Sequence, residues 1–481
     1  MTPATNIPIH DWMSDPATRR VFAPLVDSDS AEPTILFVGG CVRDALLGRP
    51  VVDVDMATVH APEEVMRRLD AAGVGYHTTG VEHGTVAAHM DNRVFEITTL
   101  RVDVETDGRH ARVAYTDDWA LDASRRDFTI NALYADADGN VFDPLGGMAD
   151  IEARRVRFIG DPNERIQEDA LRILRFYRFN AQLDETGLDP DGLAACQAHA
   201  GMLEQLSSER IRDELFKLLR APGVFWMLRH EAYPALLKWL FPELPDLKHS
   251  YGLEAVAIAE RSCGDMDPLR RIAALIEAFP LRNDEDVSVF QENAAAIAAR
   301  LRLSGVQSKR LARMLDRPRD LEPRWDVEAE MDWDHASAIL PLGRIFSLRR
   351  RLAREKEIDR SYRAQLYALD SASWRDAVIL NWAGQFAVIL KAAEHNAPAR
   401  EIPDRHWIDL LGLPKREPKP AFPLRGADVL DLGVPQGPEI SRLLKAVESW
   451  WIDGGLNAER DACLEELKRR ARRVTDSGGR V

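Results

Sequence analysis

Cysteine is scarce in this chain. Four in 481 residues, Cys41, Cys196, Cys263 and Cys463, are too scattered for a disulfide framework. None forms a Cys-x-x-Cys pair, which argues against a zinc site and for a reducing compartment, the cytoplasm. Long apolar runs are missing too. No uninterrupted stretch approaches the ~18–20 residues needed to span a bilayer. The opening MTPATNIPIHDWMSDP has neither the basic nor the apolar segment of a secretion signal. Positive charge is in deficit: 63 Lys and Arg against 78 Asp and Glu leave a net −15. That is awkward for a nucleic-acid binder, whose usual footprint is a basic surface. The arginines nevertheless cluster locally, at 154–178 and 349–354, so RNA remains open as a partner. Histidines are isolated. His249 stands alone, and His335 has Asp332 and Asp334 beside it but no second histidine, which disfavours a histidine–aspartate phosphohydrolase. No internal repeat stands out.

The chain is 45% hydrophobic and 29% charged, a globular composition. Its length predicts several domains. Everything is organised around ILFVGGCVRDALLGRPVVDVDM, residues 35–56. Ile35 to Val38 reads as a buried strand. Gly39 and Gly40 break it, and a short helix carrying Arg43 and Asp44 follows. A second strand would carry Asp53 and Asp55 on one face, with Val52 and Val54 packed on the other. Two adjacent carboxylates repel each other unless a cation lies between them. Mg²⁺ favours one or two carboxylates plus substrate phosphates. Glycines let backbone N–H groups approach an anion, and Arg43 adds charge. The unit reads as a holder for a metal–triphosphate.

Before it, a helix over 11–22 and a linker are predicted. After it come a helix over 58–72 and strands over 74–78, 84–90 and 94–100, making a small mixed sheet. Arg101 to Trp119 is polar and reads as a loop. In RRDFTINALY, Asp127 and Asn131 are four apart and would share a helix face. ERIQEDALRILRFYRF, 164–179, reads as one helix whose buried stripe is Ile166, Ala170, Ile173, Leu174 and Tyr177. Asp169, Arg172, Arg175 and Arg178 step around it by about 60° each and could line a curved pocket wall. A carboxylate accepts from an amino group while a guanidinium donates to a ring nitrogen. Asp169 with Arg172 could therefore accept cytosine and adenine and reject uracil and guanine. Ser207 is a helix cap. Helices dominate from there, with Pro403 to Pro423 as a linker, a helix–turn–helix-like unit over 424–454 and a frayed basic tail at 468–473.

Taken in order, VGGCVRD with DVD, SRRDFTINAL, DPLGGMADI, EDALRILRFYRF, SSERIRDEL and GADVLDLGVPQGPEI resemble the bacterial class II CCA-adding enzymes, tRNA nucleotidyltransferases. Their superfamily also holds bacterial poly(A) polymerases. The likeness is dense over about 31–220, moderate over 424–456 and thin between. It implies an α+β protein: a mixed-sheet nucleotidyltransferase head followed by an elongated all-helical neck, body and tail. The expected divisions are 1–30 for the N-terminal helix and linker, 31–150 for the head, 151–220 for the neck, 221–345 for the body and 346–481 for a tRNA-gripping tail.

The resemblance further implies that Asp53 and Asp55 hold Mg²⁺ and, with Asp127, form the catalytic set. Gly40 and Arg43 would contact the nucleotide's phosphate and sugar, and Arg126 would bind nucleotide. Asp169 and Arg172 would read the base, with Arg175 and Arg178 flanking base and triphosphate. The segment 101–119 would be the flexible loop needed to switch from C to A addition. The implied reaction adds C, C and A to the tRNA 3′ end from CTP and ATP without a nucleic-acid template, releasing pyrophosphate. A poly(A) polymerase would share the site but carry a strongly basic C-terminal region. A CC-only or A-only specialist, or a non-catalytic RNA-binding protein on the same fold, would share much of this pattern. The motifs do not fix the oligomeric state.

Overall fold

The computed structural model describes residues 1–78, 80–107, 110–183, 187–224, 233–244, 251–277, 287–318, 362, 364–393, 404–416 and 419–477. It divides into two compact units, residues 1–248 and 249–481.

The first unit opens with β1 (Thr5–Asn6), α1 (Asp11–Ser14), α2 (Pro16–Phe22), β2 (Ile35–Val38), α3 (Gly40–Leu46), β3 (Asp55–Thr58) and α4 (Pro62–Ala71). It continues with β4 (Gly75–His77), β5 (Thr85–Met90), β6 (Arg93–Thr99), β7 (Arg101–Asp107), β8 (His110–Tyr115) and α5 (Trp119–Ser124). Then come β9 (Tyr134–Ala135), β10 (Asn140–Phe142), α6 (Gly147–Glu152), α7 (Pro162–Glu168), α8 (Leu171–Gln182), α9 (Pro190–Ala198) and α10 (Ser208–Arg220). An eight-stranded mixed sheet runs β1-β10-β9-β2-β3-β6-β5-β4. Its pairs are antiparallel except β3 with β6. Central β2 is buried at every residue, which is why it reads as an unbroken apolar run. Leu36, Val38, Ala57, Leu100, Trp119 and Tyr134 share one core cluster of the sheet.

Several expectations change in detail. The first 30 residues are more than a helix and linker: β1 joins the sheet edge, and Asp15 splits the predicted helix by capping α2 through Ala17 and Thr18. The 58–72 helix starts only at Pro62, an ordinary first-turn proline. Segment 101–119 is largely a hairpin of β7 and β8, apart from residues 108 and 109, which lie outside the described set. Its alternation is obscured by a register shift between Asp103 and Glu105.

In the second unit, Asp267 caps the helix Pro268–Glu277, whose side of the fold buries Ile272 to Ile276. Trp374, Trp382 and Trp407 pack in one core cluster. Arg270 is 1% exposed and bonds Glu260 and Asp376. The segment expected as a proline-rich linker contains the helix Asp404–Arg416, which tolerates Pro414 in its last turn. Lys468 to Arg473, expected to fray, lies inside the helix Arg460–Ser477. Residues 424–454 form the helices Gly426–Leu430 and Pro438–Asp453. His249, His335 and Arg349 to Arg354 lie outside the described residues.

Candidate active site

The site builds from the turn after β2. Gly39 has φ +72°, a left-handed conformation that an L side chain adopts only with strain. Its amide donates to the Leu133 carbonyl at 3.1 Å, and its own carbonyl accepts from Arg43 N–H at 3.0 Å. The turn therefore launches α3 and brings Gly40 and Arg43 beside the segment 126–131. Arg43 is half turned back on its neighbour: Nε and Nη2 hold Asp44 at 3.0 and 2.9 Å, while Nη1 donates to Asn131 Oδ1 at 2.7 Å.

Asp53 and Asp55 do not sit on one strand. The strand β3 begins at Asp55, and Val52, expected to be packed, is 81% exposed. Pro50 and the residues after it come in as irregular chain, so alternation does not govern them. Val54 is buried as expected. Asp55 pairs across the parallel β3–β6 register with Glu96, a carboxylate that sequence reasoning missed. Burial first, then Glu96 and Asp53, push the Asp55 carboxyl up to about 6, against the pull of Arg126. Such crowding of anions is what a divalent cation relieves. Among the described residues no three His, Cys, Asp or Glu side chains gather as a complete metal cage. The donors suit a hard cation that completes its shell with phosphate oxygens and water.

Asp127 and Asn131 do meet, with Asn131 Nδ2 donating to Asp127 Oδ1 at 3.1 Å. They do so around the 3-10 turn Thr129–Asn131 rather than on the expected α-helix. Asp127 lies against Arg175, whose Nε and Nη2 approach its Oδ2 at 2.6 and 2.5 Å. Burial raises the Asp127 carboxyl, but Arg175 and Asn131 outweigh that and hold it below the usual range. Arg126 is held by Asp122 at 3.0 Å and lies over the Tyr134 ring. Asp122 is a second missed residue. Its signal was the i,i+4 spacing to Arg126.

The helix expected over 164–179 is two. Asp169 takes extended backbone, φ −152° and ψ 106°, between α7 and α8. Its own Oδ1 accepts from Leu171 N–H at 3.1 Å, the local competition that makes Asp a poor helix-interior residue. The buried stripe survives the break: Ile166, Ala170, Ile173, Leu174 and Tyr177 are all buried. Asp169 and Arg172 do not bond each other through their side chains. Asp169 Oδ2 accepts from Arg210 Nη2 at 2.8 Å, while Arg172 Nη1 donates to Glu168 at 2.5 Å and to the Arg165 carbonyl at 2.7 Å. Further along α8, Arg175 and Arg178 approach the Phe179 ring at 5.3 and 4.1 Å, and Arg43 approaches it at 5.0 Å. Arg178 is anchored to Glu214 of α10, which packs on α8. Ser207 caps α10 as expected. The structure thus joins Arg43, Asp127, Arg175 and Arg178 through Asn131 and Phe179, while Arg126, held separately by Asp122, acts on Asp55.

Residues 35–157 match the family described as "Poly A polymerase head domain", and residues 187–247 match "Probable RNA and SrmB- binding site of polymerase A". A mouse protein, "CCA tRNA nucleotidyltransferase 1, mitochondrial", is 29% identical over 441 residues, 90% of this chain and 86% of its own. The "CCA-adding enzyme" of Streptococcus gordonii is 46% identical over 216 residues, 44% of this chain and 52% of its own. Among solved structures, the Bacillus stearothermophilus CCA-adding enzyme in complex with CTP superposes with a TM-score of 0.65 at 23% identity, covering 96% of this chain and 100% of that one. The Thermotoga maritima CCA-adding enzyme complexed with tRNA gives 0.56 at 18%, covering 97% and 99%. Both structural likenesses support the mixed-sheet head followed by helices. Among the described residues no helix is long and apolar enough to cross a membrane.

Proposed function

We infer that the chain, which belongs to the CCA-adding enzyme family of tRNA nucleotidyltransferases, adds C, C and A to the 3′ end of tRNA from CTP and ATP, releasing pyrophosphate and using no nucleic-acid template. The observation that carries the chemistry is the carboxylate crowding at Asp55, beside Asp53 and opposite Glu96, next to the Gly39–Gly40 turn. Asp53 and Asp55 would hold the metal, which we take to be Mg²⁺. When bound, it supplies charge to the triphosphate and activates the attacking hydroxyl.

The chain's own residues do the rest. Gly40 and Arg43 face the nucleotide's phosphate and sugar, and Arg126 adds a guanidinium fixed by Asp122. Asp127 serves as the counter-charge that aims Arg175, which with Arg178 flanks base and triphosphate. Asp169 and Arg172 offer the acceptor and donor that match the Watson–Crick edge of C or A. The tRNA 3′-oxygen then bonds to the α-phosphorus as the bond to pyrophosphate breaks, so catalysis is positioning and charge stabilisation. We place the reaction in the cytoplasm, in keeping with four cysteines that are all free.

One observation favours a second reading. The head matches a family described by poly(A) polymerase, and both activities would use this site. The test is incorporation on three tRNA transcripts, ending before CCA, after C and after CC, with Mg²⁺ and each of the four nucleotides. Addition of C, C, then A with termination is expected, and Asp53→Ala should lower it by roughly a thousandfold or more. Open-ended A addition would establish the poly(A) polymerase instead. Tight tRNA binding without incorporation would establish a non-catalytic binder.

A further inference from the structure

We propose that Arg210, on α10, is a positioning residue that sets base selection by fixing the carboxylate of Asp169. The inference rests on the reading of Asp169 and Arg172 given above.

Asp169 is awkwardly placed for a residue that must present a hydrogen-bond acceptor accurately. It sits in extended backbone between two helices, so no helical turn restrains its side chain. Two contacts hold it: Leu171 N–H on Oδ1 at 3.1 Å, and Arg210 Nη2 on Oδ2 at 2.8 Å. The first comes from two residues away and moves with the same segment. The second arrives from α10, and among the described residues it is the one hydrogen bond to the carboxylate from outside the α7–α8 junction. An ionised carboxylate has about four lone-pair sites, so these two contacts leave acceptor capacity for an incoming amino group.

Arg172 is braced in a matching way. Its Nη1 is taken by Glu168 and the Arg165 carbonyl, while Nε and Nη2 have no protein partner among the described residues. Each member of the pair is thus gripped on one side and open on the other. The Asp169 and Arg210 side chains are 28% and 35% exposed, so both remain reachable. Without Arg210, the carboxylate is held only by Leu171 N–H on Oδ1, and Oδ2 loses its fixed position. The amino group of C or A then loses a fixed acceptor, and the oxygen of U or G no longer meets a fixed like-polarity group. Selection falls more than binding does.

The test uses the full chain, with Arg210→Ala and Arg210→Lys beside wild type. kcat and KM are measured for CTP against UTP on the transcript ending before CCA, and for ATP against GTP on the transcript ending in CC. The Ser207 cap uses the Arg210 backbone N–H, so truncating the side chain leaves the helix start intact. Arg210→Ala should narrow both preferences by roughly tenfold or more, the worth of one charged hydrogen bond. Arg210→Lys, keeping a charged donor, should restore most of the preference. If both nucleotides of a pair lose rate equally in Arg210→Ala and the preference stands, Arg210 only braces the fold and the proposal is wrong. A wild-type chain that adds no nucleotide would instead overturn the function itself, and with it this inference.

Discussion

Replacing Arg175 by methionine tests whether Asp127 is the strut between α8 and the segment 126–131. The side chain of Asp127 is 9% exposed and that of Arg175 32%. A charge-assisted hydrogen bond from Arg175 Nε to Asp127 Oδ2 at 2.6 Å joins them, with Nη2 in ion-pair contact with the same oxygen at 2.5 Å. After the substitution Asp127 keeps Phe128 N–H at 2.9 Å and Asn131 Nδ2 at 3.1 Å, and loses its directly bonded cation, with Arg165 acting on it only through space. Removing one partner of a buried ion pair costs about 3–5 kcal/mol, and the partial exposure of Arg175 puts this case near about 3 kcal/mol. Hydrogen exchange over 125–135 and 171–182 reads that loss locally, which matters in a chain of two units.

The pH dependence supplies a second, signed readout. In the wild type the folded Asp127 carboxyl lies below its unfolded value of about 3.9. Its contribution is therefore complete above that value and is lost as pH falls through the folded one. In Arg175→Met, burial acts without its main opponent and the folded value rises. Mild acidification should then relieve the variant rather than weaken it. The double variant Asp127→Asn with Arg175→Met should cost less than the sum of the singles by at least about 1 kcal/mol. Additive costs, or the same pH slope in variant and wild type, would refute the strut.

Two further substitutions probe the packing that supports the site. A Cβ on Gly147 would lie 2.3 Å from the Thr129 backbone oxygen, so Gly147→Ala should destabilise the first unit by several kcal/mol, roughly the scale of severe overpacking, seen as a lowered denaturation midpoint. Arg270→Met leaves Glu260 and Asp376 buried without one of their cations. It should cost about 3–5 kcal/mol in the second unit, read by hydrogen exchange over 251–277 and 371–387, with exchange over 35–58 unchanged.

Local rules carried the reading as far as local contacts reach. The apolar run 35–38 is a buried strand because β3 and β9 flank its two edges and apolar side chains cover its faces, Leu36 and Val38 in the cluster with Trp119 and Phe37 against Trp12 and Phe22. The Asp127–Asn131 spacing gave the right contact even though the backbone there is a 3-10 turn, since three- and four-residue separations bring side chains together in either. The stripe through Ile166 and Ile173 was legible because burial follows period, and a break at Asp169 that restarts a helix immediately does not disturb it.

What stayed hidden depends on distant register. Glu96 faces Asp55 only because β6 pairs parallel with β3, and nothing within either segment encodes that alignment. Arg210 and Asp169 are 41 residues apart, Arg175 and Asp127 48. The recognisable motifs named the groups that would touch substrate. The residues that hold those groups still, Asp122, Glu214 and Arg210, came from the packing of α5 and α10 against them. A site whose chemistry is charge placed at the right point depends on these supports as much as on the groups they hold, because a guanidinium or carboxylate free to rotate gives up the preorganisation that makes it catalytic.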